Sequence, residues 1–72
     1  MISGLLINDQ ADRLEWLILR LDGKSAGYYR VLPAGKTNEA EAFSPKMDSA
    51  EQALDWLRRE ARARGFDARG IK

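Results

Sequence analysis

Neither cysteine nor histidine occurs anywhere in the 72 residues, and this restricts how so short a chain can hold a fold. A domain of this size buries only roughly 60% of the surface its unfolded form exposes. Small domains therefore lean on disulfides, a structural metal or self-association. Without Cys there is no disulfide and no thiolate ligand, and without His a zinc ion loses its other preferred donor. A compact core under a well-capped helix, or oligomerisation, is what remains. The hydrophobic content of 44% and charged content of 32% are those of a folded chain rather than a disordered one. The length fits one small domain spanning residues 1–72.

The N-terminal half reads as strands. Ile2 to Ile7 is short and apolar and is followed by the turn formers Asn8-Asp9-Gln10-Ala11-Asp12, which suggests a first strand and a loop. Leu14 to Leu21 is denser, and Asp22-Gly23 closes it before the aromatic pair Tyr28-Tyr29, the pattern of a hairpin. A third strand is expected from about Tyr28 to Leu32. It stops at Pro33, which cannot donate to a ladder. Ala34 to Asn38 reads as a turn, and Glu39 to Phe43 as a fourth, edge strand.

The helix carries the most consistent signals. Asp48 and Glu51 have the spacing of a capping box. Ala50, Ala53, Leu54, Leu57 and Ala61 form an apolar stripe at helical spacing, with Trp56 at its edge as a partly buried core ring. Gly65 and Phe66 sit where a Schellman motif places its left-handed residue and its apolar contact. Asp67 to Lys72 reads as a frayed tail or a short added strand. The expected fold is α+β: an antiparallel three- or four-stranded sheet with one C-terminal helix packed on one face, in the order β-β-β-(β)-α.

Chemistry is sparse. The commonest general base and the best nucleophile are both missing, and Ser3, Ser25, Ser44 and Ser49 have no base placed by a recognisable motif. The glycines form neither a P-loop nor a dinucleotide fingerprint. The expectation is a chain that is not an enzyme, with no catalytic residues, no cofactor and no metal. The longest unbroken apolar run, Trp16 to Leu19, is far short of a membrane span. Nothing reads as an export signal, so a cytoplasmic location without membrane association is the default expectation.

Two surfaces stand out. In Leu14–Leu21 the residues on both faces are largely apolar, while a single helix covers only one face. A second face grouping Trp16, Ile18 and Arg20 with Tyr28 and Arg30 has the composition of a protein-binding hot spot. The competing reading places Trp16 and Ile18 beneath other parts of the chain, and a homodimer through this face satisfies both. The second surface is the basic end. Residues 58–72 carry six basic and two acidic side chains, against six basic and nine acidic in residues 1–57. Arg58, Arg59, Arg62 and Arg69 there are candidates for nucleic-acid phosphates. The alternative is a solvated helix end in which Asp55 and Glu60 pair with Arg59 and Arg64.

With this order of elements, residues 14–57 resemble small phage-encoded anti-CRISPR proteins of sheet-plus-helix type. The likeness lies in Asp22-Gly23, in the helix start Asp48-Ser49-Ala50-Glu51-Gln52 and in Trp56. The resemblance implies a phage or mobile-element inhibitor that binds a surface of a CRISPR surveillance complex without catalysis. The order also resembles the three-stranded DNA-binding domains of the integrase arm-site type and their plant counterparts, which read the major groove with a sheet. Here the strands are Leu-rich, and Arg20 and Arg30 are their only well-placed cations. The leading expectation is a non-enzymatic module for a protein partner of unknown identity. The alternatives are a nucleic-acid-binding protein using the Arg-rich end and a homodimeric accessory protein.

Overall fold

Asp22 and Gly23 both adopt left-handed backbone conformations, with φ of 54° and 76°. That is the requirement of a two-residue type I′ turn, whose twist matches that of the strands it joins. The turn links β2 (Arg13–Leu21) directly to β3 (Lys24–Leu32). It pairs Leu21 with Lys24 and, rung by rung, Trp16 with Tyr29 and Arg13 with Leu32. Because the ladder begins at the turn itself, β3 starts at Lys24 and not at Tyr28. The computed structural model describes residues 2–35 and 39–71. β1 (Ile2–Ile7) and β4 (Ala40–Phe43) complete a four-stranded antiparallel sheet of order β1-β2-β3-β4.

Of the residues before Leu14, Ile2–Ile7 are thus a paired strand on one edge, and β4 occupies the other edge as expected. Asn8 organises the β1–β2 connection. Its carbonyl accepts from the Ala11 amide at 3.0 Å, its amide donates to the Asp12 carbonyl at 3.1 Å, and its Oδ1 accepts from the Gln10 and Asp12 amides at 3.0 Å. The loop closes only with Ala11 at φ 63°, a conformation that costs a residue with a Cβ. Of the turn expected over Ala34–Asn38, Ala34 and Gly35 form the turn, while Lys36, Thr37 and Asn38 lie outside the described residues. Past β4, Ser44 continues the pairing. Its amide donates to the Gly27 carbonyl and its Oγ accepts from the Gly27 amide, both at 2.8 Å, and Met47 bridges Ser25.

Helix α1 (Ala50–Ala63) lies across one face of the sheet. The cap differs from the expected one: Ser49, not Asp48, is the N-cap. Its Oγ accepts from the Gln52 amide, and the Gln52 side chain returns to the Ser49 amide. The Asp48 carboxylate instead holds Lys24 Nζ at 2.6 Å, which lowers its pKa. The C-terminus is a complete Schellman motif. Gly65 sits at φ 85°, its amide reaches the Arg62 carbonyl, and the Phe66 amide reaches Ala61. Residues 68–71 are neither frayed nor a strand. They form a 3₁₀ helix, Ala68–Gly70, that drives Ala68 and Ile71 into the interior.

The core lies between sheet and helix. Leu6, Leu14, Trp16, Ile18, Tyr29 and Val31 meet Ala53, Leu54, Leu57 and Ala61, with Phe66 and Ile71 closing one end. Two glycines make this contact possible. A Cβ at Gly4 would stand 2.7 Å from the Trp16 indole, and one at Gly27 would stand 2.9 Å from the Trp56 ring. Among the described residues no helix is long and apolar enough to cross a membrane.

Replacing Ala11 by Gly removes the left-handed strain and is expected to raise stability by roughly 0.5–1 kcal/mol. Gly23→Ala is expected to lower it by about 1 kcal/mol. Thermal melts followed by circular dichroism check both, since each kcal/mol moves the midpoint of a domain this small by about 4–8 °C. Equal midpoints for Ala11→Gly and the parent would contradict the strained loop.

Candidate interaction surface

The register decides which side of β2 the helix covers. Residues directly opposite in an antiparallel pair share a face, so Trp16 lies with Tyr29, Leu14 with Val31 and Ile18 with Gly27. These are the positions under α1: Trp16 is 5% exposed, Ile18 is 3% exposed and Tyr29 is wholly buried. Tyr28 pairs with Leu17, and Arg30 with Glu15, on the other face. The group Trp16, Ile18, Arg20, Tyr28 and Arg30 is therefore split. Trp16 and Ile18 are core, Arg20 follows them in strand alternation at the exposed end of β2, and only Tyr28 and Arg30 belong to the uncovered face. The aromatic that anchors the helix is Tyr29, whose hydroxyl donates to Glu60 Oε1 at 2.7 Å and accepts from Arg64 Nε at 2.8 Å. Burial first, and then the bond to Glu60, raise its pKa, with Arg64 opposing.

The uncovered face presents Leu5 and Ile7 from β1, Leu17, Leu19 and Leu21 from β2, and Phe43 from β4. Their exposure reaches 63% at Phe43 and 64% at Ile7. The Tyr28 and Phe43 rings are in contact, with centroids 4.6 Å apart. Polar groups on this face are satisfied within it. Arg30 donates from both Nε and Nη2 to Glu15 Oε1, and Tyr28 donates to Glu41 Oε2 at 2.7 Å. That last bond is the main cause of the raised Tyr28 pKa. Ser3, Leu17, Tyr28 and the Glu15–Arg30 pair line a depression of about 330 Å³.

The arginines do not form one basic patch. Arg58 does not stand free in solvent: its side chain is 23% exposed. Its Nε donates to the Ile71 carbonyl at 3.0 Å, and its Nη1 meets Asp55 at 2.9 Å and Glu51 at 3.3 Å. Arg69 is held by Asp67 at 2.7 Å. This pairing, together with the Arg69 amide, lowers the Asp67 pKa to about 2. The folded carboxyl thus stays charged below its usual 3.8, so the pair supports the fold above that value and its contribution fades as pH falls toward 2. Arg58, Arg62 and Arg69 line one depression together with Asp67, while Arg59 lines another with Lys46 and Asp48. The pairings expected for the solvated alternative also differ. Asp55 takes Arg58, and Glu60 and Arg64 both go to Tyr29. Among the described residues no group of three or more acidic side chains is placed to hold a metal ion.

Sequence reasoning names Tyr28 but sets it beside Trp16, and it does not single out Leu17, Leu19 and Phe43. The signal that finds them is the Asp22-Gly23 turn: a two-residue connection fixes the register, and the register sends Tyr28 to the side of Leu17.

A buried Trp16 makes a specific demand. Trp16→Ala is expected to cost about 3–5 kcal/mol, much of the stability available to so small a domain. Trp16→Phe, which keeps a ring in the site, is expected to cost less. Urea titration measures both, and a Trp16→Ala midpoint equal to the parent's would return Trp16 to the surface.

No protein-family model, curated protein or solved structure matches this chain.

Proposed function

We propose that this chain is a non-enzymatic protein-binding module whose contact surface is the uncovered face of its sheet, centred on Leu17, Leu19, Tyr28 and Phe43. The observation that carries this reading is the unequal treatment of the two faces: one helix covers one side, and the other side is left rich in Leu and aromatic residues. Contiguous apolar surface of this kind marks interaction sites in folded proteins.

The polar groups of the face define the partner's chemistry. Arg30 is paired with Glu15, so covering that pair strands no charge, while Glu41, bonded to the neutral Tyr28 hydroxyl, lies exposed on the edge strand β4. The occupant that fits is a folded protein presenting its own aliphatic and aromatic side chains. A polyanion would need a set of free cations, and two of the four candidate arginines, Arg58 and Arg69, are already paired with Asp55, Glu51 and Asp67. The narrower idea of a phage-type inhibitor of a CRISPR complex rests on Asp22-Gly23, residues 48–52 and Trp56, and these positions are accounted for by turn, capping and packing chemistry.

The test compares two variants as bait in the source-cell extract, with circular dichroism verifying that each is folded. Leu19→Glu places a charge on the face, opposite Ala26, and is expected to weaken capture of a specific protein by roughly 30-fold, the effect of losing about 2 kcal/mol at a hot spot. The Arg59→Glu/Arg62→Glu double variant is expected to retain that capture. Capture lost with the arginine variant and kept with Leu19→Glu, or captured material that is nucleic acid, contradicts the proposal.

A further inference from the structure

The two edges of the sheet are not alike. β4 is short, carries Glu41 and is preceded by Glu39; acidic side chains of this kind blunt an edge against pairing. β1 has no charged residue, no proline and six residues in the strand. Of the five exposed large hydrophobic side chains among the described residues, three are in β1: Ile2, Leu5 and Ile7. A chain that guards one edge and leaves the other apolar and bare presents a site for strand addition.

The backbone of β1 specifies what fits there. The Asn8 amide bonds the Asp12 carbonyl, and alternation along the strand then turns Leu6, Gly4 and Ile2 toward β2. Ser3, Leu5 and Ile7 consequently direct their amides and carbonyls outward at the edge. The same parity holds on the far side of the sheet, where Ser25 and Gly27 turn toward Met47 and Ser44. An antiparallel copy of β1 related by a two-fold axis through Leu5 pairs Leu5 with Leu5 and Ser3 with Ile7. It is the one two-fold register in which all three outward residues of each strand exchange bonds with one another. The side chains brought together on the uncovered face are Leu5, Ile7 and Ser3, without a charge among them.

We infer that β1 is a self-association edge, at which a second copy of this chain adds antiparallel through Leu5 to give a continuous eight-stranded sheet. The two uncovered faces then lie side by side as one surface. This assembly does not depend on the partner-binding reading, since it uses the edge and leaves Leu19 and Phe43 free.

Sedimentation velocity tests it, with the chain at on the order of 100 μM because a single short edge gives a small interface. The parent is expected to sediment at twice 8.1 kDa. Leu5→Lys and Leu5→Glu each set like charges opposite one another across the two-fold axis and are expected to sediment at the single-chain mass, with unchanged circular dichroism spectra. Mixed in equal amounts, they are expected to return to the double mass, because Lys then faces Glu. A parent at the single-chain mass overturns the inference. So does a double mass that persists in Leu5→Lys, an equal mixture that stays at the single-chain mass, or a double mass abolished by Leu19→Glu, which would place the contact on the face and not on the edge.

Discussion

The cross-strand pair of Trp16 and Tyr29 beneath α1 is the contact on which the rest of the structure rests. Both rings project from the centre of the sheet toward the helix, and the packing around them depends on absent side chains: the Trp16 indole lies over Gly4, and Trp56 from the helix lies over Gly27. Tyr29 also ties the two layers together chemically. Its buried ring ends in a hydroxyl shared by Glu60 and Arg64 at the far end of the helix, so the polar atom of a fully buried residue is satisfied by the same element that buries it. In a chain without cysteine or histidine, this packing takes the place of a disulfide or a zinc ion.

Committing those rings to one face leaves the other to solvent. With Trp16, Ile18, Tyr29 and Val31 used for folding, the leucines at the alternate positions of β2 are not needed by the core, yet they are leucines. Strand alternation in a sheet covered on one side ordinarily gives polar residues at such positions. Their apolar character, together with charges that pair within the face, is the feature of this molecule that its own stability does not explain.

Local chemistry made most of the fold legible. The Schellman end at Gly65 and Phe66, the helix stripe, the Asp22-Gly23 turn and the stop at Pro33 each act within a few residues, so each could be read from a short stretch of sequence. The cap moved by one residue: Ser49 and Asp48 are both good N-caps, and the Asp48 carboxylate instead holds Lys24, a residue distant in the chain. The tail was not legible for the same reason. Ala68 and Ile71 have no periodic pattern, and they are buried only because Gly70 leaves room for Leu6 of β1. The open face of the sheet was half legible. That β2 is apolar on both sides was plain, but composition favoured the face bearing tryptophan, whereas the register places that tryptophan under the helix. Arg58 was misplaced because the group that claims its Nε, the Ile71 carbonyl, is a backbone atom that no residue pattern announces.

The central claim is that half-buried Leu17 and Leu19 lie on the open face of the sheet while Leu6, Leu14, Leu54 and Leu57 are buried between sheet and helix. Leucine methyl resonances recorded with a soluble paramagnetic agent measure this directly. The account predicts strong relaxation enhancement at Leu5 and Leu21, intermediate enhancement at Leu17 and Leu19, and protection at Leu6, Leu14, Leu54 and Leu57. Leu17 and Leu19 protected to the same degree as Leu14 would mean that this face is already covered, and would contradict the account.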